Sequence, residues 1–254
     1  ASITGIVVIG GLKRIAEVAS YLVPFMGSIY FGAMLIAIFL NLELVVPAFK
    51  LIFIDAFNGT AIAGGTFIGV LIYGVRRGAF SNEAGMGTES LVHGVAKVSN
   101  PVKQGLVAMT GPIFDTLIIC TATALIILIS GVWETSTSQG VTLTSEAFNL
   151  LLGDLGGFIL FACVICFGLS TIFTYSYYGA TCARFIFGSF GMNFYIYLYI
   201  IGIFIYSIVP IDIAINIADG AFAMMAIPTL ISALWLAPKV MQESRNYFKL
   251  INNI

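Results

Sequence analysis

The stretch Arg76-Arg77-Gly78-Ala79-Phe80-Ser81-Asn82-Glu83-Ala84-Gly85-Met86-Gly87-Thr88-Glu89-Ser90 is polar and glycine-bearing, yet it lies between apolar runs at 59–75 and 91–98. The first run makes only about 25 Å of helix at 1.5 Å per residue, short for a hydrocarbon layer of roughly 30 Å. Gly85 and Gly87 flank Met86, and glycine both loosens a helix and lets backbone approach a ligand closely. An apolar span interrupted in this way points to a broken membrane helix, whose freed N–H and C=O groups meet a solute or an ion. A plain loop between two helix ends has the same composition, and the residues alone leave both readings open.

The surroundings decide in what solvent that stretch sits. The 254 residues are 59% hydrophobic and 9% charged, with a mean hydropathy of +1.04, against about 25% charged in an ordinary soluble domain. Uncharged or nearly uncharged runs cover 21–42, 59–75, 105–133, 155–183, 194–209 and 213–238. With the apolar segment 1–12 they predict six membrane spans and the end of a seventh. Runs this continuous are α-helical, because barrel strands alternate polar and apolar residues. The expectation is an all-α polytopic membrane protein forming a single membrane domain over 1–254, in contact with lipid. The sequence opens on Ala1 and enters an apolar run directly, so a start partway through a longer protein is expected and a signal peptide is not.

Basic residues collect in cytoplasmic loops. A cytoplasmic C-terminus places Lys239, Arg245, Lys249, Arg184, Lys97, Lys103, Lys13 and Arg14 inside and leaves Lys50 outside. Glu43, Asp55, Glu134, Glu146 and Asp154 then fall on the outer face, in two longer connections at 43–58 and 134–154. The second, rich in Ser, Thr and Gly, reads as an outer cap or as a simple connection. A net charge of −1 carries no basic surplus for a nucleic-acid partner.

Asp115 and Asp219 are carboxylates inside apolar runs, and such groups are functional suspects by default. Asp212, Asn216 and Asp219 share one helical face, which could line an outer vestibule, pair with Arg77 or satisfy a neighbouring backbone, and for Asp219 a structural hydrogen bond is the favoured reading. Cys120, Cys163, Cys166 and Cys182 read as buried structural thiols, and lone His93 lacks companions for a metal site. No metal or cofactor is expected. Ser81, His93 and Asp115 could be set out as a hydrolase triad, but no nucleophile elbow accompanies them. An ion channel lacks rings of like charge or repeated filter sequences.

The string Phe80-Ser81-Asn82-Glu83-Ala84-Gly85-Met86-Gly87 resembles the signature of the alanine/glycine:cation symporter family. The similarity continues through Asn100–Met109, 115–125, Ser176-Tyr177-Tyr178-Gly179 and Met225-Ala226-Ile227-Pro228. The resemblance implies a LeuT-type fold of two inverted five-helix repeats. This chain would hold the end of the first repeat and the whole of the second. It implies a secondary transporter of the prokaryotic inner membrane that imports alanine or glycine with sodium, a proton being the alternative ion. Gly85, Met86 and Gly87 match the broken helix that meets the substrate; Ser81, Asn82 and Glu83 match the part of the motif that holds the break open. Ser170 and Thr171 match a Thr-Thr pair on a helix lining substrate and sodium sites. The implied substrate contacts are therefore Gly85, Met86, Gly87, Thr171 and Tyr175, and the implied sodium ligands Ser170, Thr171 and Thr174. Tyr175 stands where the family has Trp, Ala180 replaces a Glu, and Glu89 adds a carboxylate.

Overall fold

The computed structural model describes residues 4, 5, 7, 11–57 and 66–252. Most of the expected segment 1–12 and the first part of the expected span at 59–75 lie outside the described residues. All regular structure among them is helical: α1 (Gly11–Leu40), α2 (Leu42–Ala56), α3 (Thr66–Ser81), α4 (Thr88–His93), α5 (Pro101–Pro112), α6 (Thr121–Ser130), α7 (Val132–Thr135), α8 (Val141–Leu152), α9 (Asp154–Tyr206) and α10 (Ile211–Asn252). Four stretches are long and apolar enough to cross a membrane: Glu17–Leu40, Pro101–Ser130, Asp154–Tyr206 and Ile213–Ile251. Their outward faces carry bulky apolar side chains such as Phe185, Phe190 and Trp235. A water-soluble surface does not tolerate so much of this. The chain is thus an all-helical, polytopic membrane protein.

Two long elements depart from simple rods. Between α5 and α6 the chain runs as a π-helical segment, Ile113–Cys120. Pro112 precedes it and has no N–H to give the preceding turn, so the ladder re-forms with a wider register. Within α9, Gly188 takes φ 68°, ψ −158°, a conformation suited to glycine. Beyond it the chain turns back: Tyr199 donates its hydroxyl to the Ile172 carbonyl at 2.8 Å, and the Tyr195 ring stands where a Cβ on Gly179 would go. The two arms therefore match the separate expected runs 155–183 and 194–209, joined by one glycine where a short loop was expected.

Both of the longer connections are more ordered than expected. Positions 43–57 hold most of α2, and 134–154 hold α8, with loop at 136–140 and a break at Gly153. Each carries an apolar face that composition alone did not reveal, because their charged ends (Glu43 and Asp55, Glu134 and Asp154) dominate the count.

The fold gathers into two compact units. The first comprises residues up to Gly74 with Thr116–Ile201. Its core joins Tyr30, Ala33, Met34 and Ala37 of α1 to Ala122 and Ile126 of α6, Ala147 and Phe148 of α8, and Leu160 and Cys163 of α9. The α1 set repeats at i, i+3, i+4 and i+7, one helical stripe. Its two alanines let neighbouring backbones come close, which is how helices associate where lipid removes the hydrophobic drive. Phe148 is fully buried and stacks on Tyr30 at 5.8 Å. The second unit comprises Val75–Asp115 and the chain from Gly202, and contains the glycine-bearing stretch.

Candidate functional site

Helix α3 stops at Ser81 for a reason visible in its hydrogen bonds. The Ala84 N–H reaches the Ala79 carbonyl (3.0 Å) and the Glu83 N–H the Phe80 carbonyl (3.2 Å), the paired closure of a Schellman cap. The left-handed position of such a cap belongs to glycine, but here Glu83 occupies it at φ 53°. That conformation costs a side-chain-bearing residue about 1–2 kcal/mol, and strain of this kind is found at functional sites. Gly85 (φ 75°) and Gly87 (φ 87°) continue the left-handed turns. Three such residues among five positions prevent the helix from propagating, and it restarts at Thr88. The chain thus leaves helical conformation at 82–87, which the two readings of the sequence, a broken span and a plain loop, share.

Its side chains are held individually. Ser81 donates to Asp115, and the Asn82 side-chain amide donates to the Gly78 carbonyl at 2.9 Å. Ser90 donates to the Gly87 carbonyl at 2.7 Å. Met86 is buried, as is Thr88, whose hydroxyl has no hydrogen-bond partner among the described residues. A Cβ placed on Gly87 would lie 2.8 Å from Thr229 Oγ1 of α10. His93 accepts at Nδ1 from Gln104 Nε2 (2.8 Å), which puts its own proton on Nε2. Asp219 pairs with Arg76, the neighbour of the Arg77 that was one of its possible partners.

The hydroxyls of α9 are arranged differently. Ser170, buried, donates to the Phe167 carbonyl, and Thr174 donates to the Ser170 carbonyl, both at 2.9 Å. Each bond returns to the preceding turn and leaves the oxygen lone pairs as acceptors. Thr171 instead faces a cavity of about 620 Å³ shared with Tyr30, Thr123, Thr144 and Phe167. Thr123 donates to the Ile119 carbonyl (2.8 Å), so the 2.8 Å contact with Tyr30 has the phenol as donor. Tyr175, half-buried, lies beside Tyr178 with ring centroids 5.3 Å apart and does not line that cavity.

Ser170, Thr171 and Thr174 thus stand together in the first unit, and Ser81–Gly87 in the second. Sequence reasoning overlooked Tyr30 and Thr123 at the cavity and Thr229 against Gly87. Thr123 lies inside a quoted stretch and Thr229 directly follows one, which was the available signal. Of the four cysteines only Cys163 is buried, while Cys120 and Cys182 lie on helix surfaces; the expectation of uniformly buried thiols is corrected, since a surface facing lipid accepts a thiol as readily as a core.

A family model described as the sodium:alanine symporter family matches residues 1–253. A sodium/alanine symporter, AgcS, of Methanococcus maripaludis is 34% identical over 98% of this chain and 56% of its own length. An uncharacterized transporter of Haemophilus influenzae is 35% identical over 97% and 55%, and a probable sodium/glutamine symporter, GlnT, of Bacillus subtilis 33% identical over 97% and 52%. The chain spans about half the length of the curated relatives it matches. These relatives are named as transporters and not as enzymes.

Proposed function

Because this chain belongs to the sodium:alanine symporter family, we propose that the protein is a secondary transporter that couples sodium entry to the uptake of a small neutral amino acid by alternating access. The observation that carries this reading is the helix break at 82–87 in a chain matched along its whole length by that family. A break of this form presents backbone donors and acceptors inside apolar surroundings, where an amino acid's carboxylate and ammonium and a sodium ion find no water.

In this reading Gly85, Met86 and Gly87 meet the amino acid, with Ser81, Asn82 and Glu83 fixing the break. Thr171 is a further substrate contact, and Ser170, Thr171 and Thr174 are oxygen ligands for sodium, whose hard charge prefers such atoms. Supporting this, Thr171 faces a cavity, while Ser170 and Thr174 spend only their protons on backbone. Residues 1–254 form part of a LeuT-type transporter domain of the prokaryotic inner membrane, with the C-terminus in the cytoplasm. Tyr175 sets the tolerated side-chain size. Alanine and glycine are the proposed substrates, and glutamine, named for one relative, is the competing one.

The test is uptake of labelled alanine, glycine and glutamine into proteoliposomes holding the complete protein, with and without an inward sodium gradient. Sodium-dependent alanine or glycine uptake is expected. Glutamine uptake without alanine would move the substrate assignment, and uptake indifferent to sodium would overturn the coupling.

A further inference from the structure

The ion pair between Arg76 and Asp219 belongs to a longer alignment. One turn beyond Arg76, the Phe80 ring meets Phe222 edge to face, centroids 5.0 Å apart at 89°. Further along, a Cβ on Gly85 would lie 3.5 Å from Leu230 Cδ2, and one on Gly87 2.8 Å from Thr229 Oγ1. Positions 219, 222, 229 and 230 fall on one face of α10 by helical spacing. Numbering increases in the same direction on both partners, so α3 and its unwound end run parallel to that face.

The register of this alignment is exacting at its far end. Only glycine fits opposite Thr229, whose hydroxyl is itself tied to the Met225 carbonyl at 2.9 Å. Sliding α3 along α10 would carry Gly87, the position without a Cβ, away from Thr229. Apolar contacts between parallel helices tolerate such slides, but a charge pair does not. Asp219 is suited to be the fixed partner, with 10% of its side chain exposed against 47% for Arg76, in an apolar helix where an unpaired carboxylate is costly.

We propose that Asp219 is a positioning residue for the break: through Arg76 it sets the axial register of α3 on α10, and so where the Gly85 and Gly87 backbone stands. The inference rests on the reading that this backbone meets the transported amino acid.

Two measurements on the complete protein test it. In the first, Phe80→Cys and Phe222→Cys are joined by a short bis-methanethiosulfonate reagent, the linked peptides being scored by mass spectrometry. Asp219→Asn is expected to slow cross-linking by about fivefold or more, the scale of a broken coupled pair, and the reversed pair Arg76→Asp/Asp219→Arg to restore it. An unchanged rate in Asp219→Asn overturns the proposal, whether or not any amino acid is transported. In the second, without the cysteines, Asp219→Asn raises the substrate KM more than it lowers the maximal rate, and the reversed pair recovers KM. A KM unmoved by Asp219→Asn overturns the link to the site. Should Asp219→Asn fail to accumulate, Arg76→Lys, which keeps the charge and loses the planar fork, is expected to shift both readouts in the same direction, and no shift overturns the proposal. Absence of uptake by the unaltered protein would remove the transport reading and leave the cross-linking rates to decide the register.

Discussion

The turn at 82–87 and the helical stretch 170–174 both place polar atoms inside apolar helices, and they do so by opposite means. The turn departs from the α-helical ladder through Glu83, Gly85 and Gly87 at positive φ, its remaining backbone bonds being those of a cap and a tight turn. The stretch in α9 keeps its ladder intact and offers side-chain oxygens whose protons are already spent on carbonyls one turn back. Backbone groups of a break present both donors and acceptors and suit a zwitterion. Hydroxyl oxygens with occupied protons are acceptors only and suit a cation. The contrast teaches that substitutions should be intolerant of volume and φ in the first region and of oxygen loss in the second.

The largest expected effect is at Met86, buried at the centre of the turn. Met86→Trp should abolish sodium-driven uptake with membrane insertion intact, overpacking of this kind costing about 1–3 kcal/mol. Unaltered uptake would break the contrast by showing that the turn does not surround the substrate. Next comes Gly87→Ala, which meets both an unfavourable φ and Thr229; uptake should fall about tenfold for about 1–2 kcal/mol of strain. Gly168→Ala, in α9 with nothing within 4 Å, should leave protein yield and thermal stability unchanged or better. Similar losses of stability from both alanines would mean that helical φ and space do not distinguish the regions.

Thr171→Val keeps the shape and removes the oxygen. The half-saturating sodium concentration should rise several-fold, about 1 kcal/mol of one neutral contact, with membrane insertion unchanged. A sodium dependence that does not move removes Thr171 from the ion site.

The smallest effect concerns the cap that 132–152 forms on the first unit, whose Phe148 packs on Tyr30 at the Thr171 cavity. The hydroxyls of Ser136 and Ser138 hold the Glu146 carboxyl below the usual carboxylate range, Ser138 at 2.6 Å. A carboxylate depressed in the folded state stabilises above its unfolded value, about 4.3, and that contribution is lost as pH falls through the lower folded value. Protease protection of 132–152 should therefore decline below about pH 4.3, and Ser138→Ala should flatten that decline. An identical profile in the variant would show that the cap is held by its apolar face alone.

Much of this was legible in the residues. Helical spans follow from long uncharged runs, since only helices satisfy every backbone group within one segment of lipid-embedded chain. The break was marked by its glycines, because positive φ is a local property that residue type nearly dictates. The helices α2 and α8 were missed: their charged ends made them resemble loops, and their apolar faces acquire meaning only against α6 and α1. The pairing of Asp219 with Arg76 instead of Arg77 was equally hidden, adjacent arginines on a helix differing by about 100° in direction. The cavity at Thr171 required Tyr30 and Thr123, distant in sequence and unremarkable singly.

The sequence by itself determined that the chain is helical and lies in a membrane, and it marked 82–87 as an interruption without deciding between a broken span and a loop, because hydropathy and backbone preference act over a few residues. Only the tertiary structure decided which face of α10 receives the break, which arginine Asp219 holds, and that Thr171 opens onto a cavity. Those choices depend on helix rotation and axial register, which a sequence leaves free until side chains from distant segments pack and fix them.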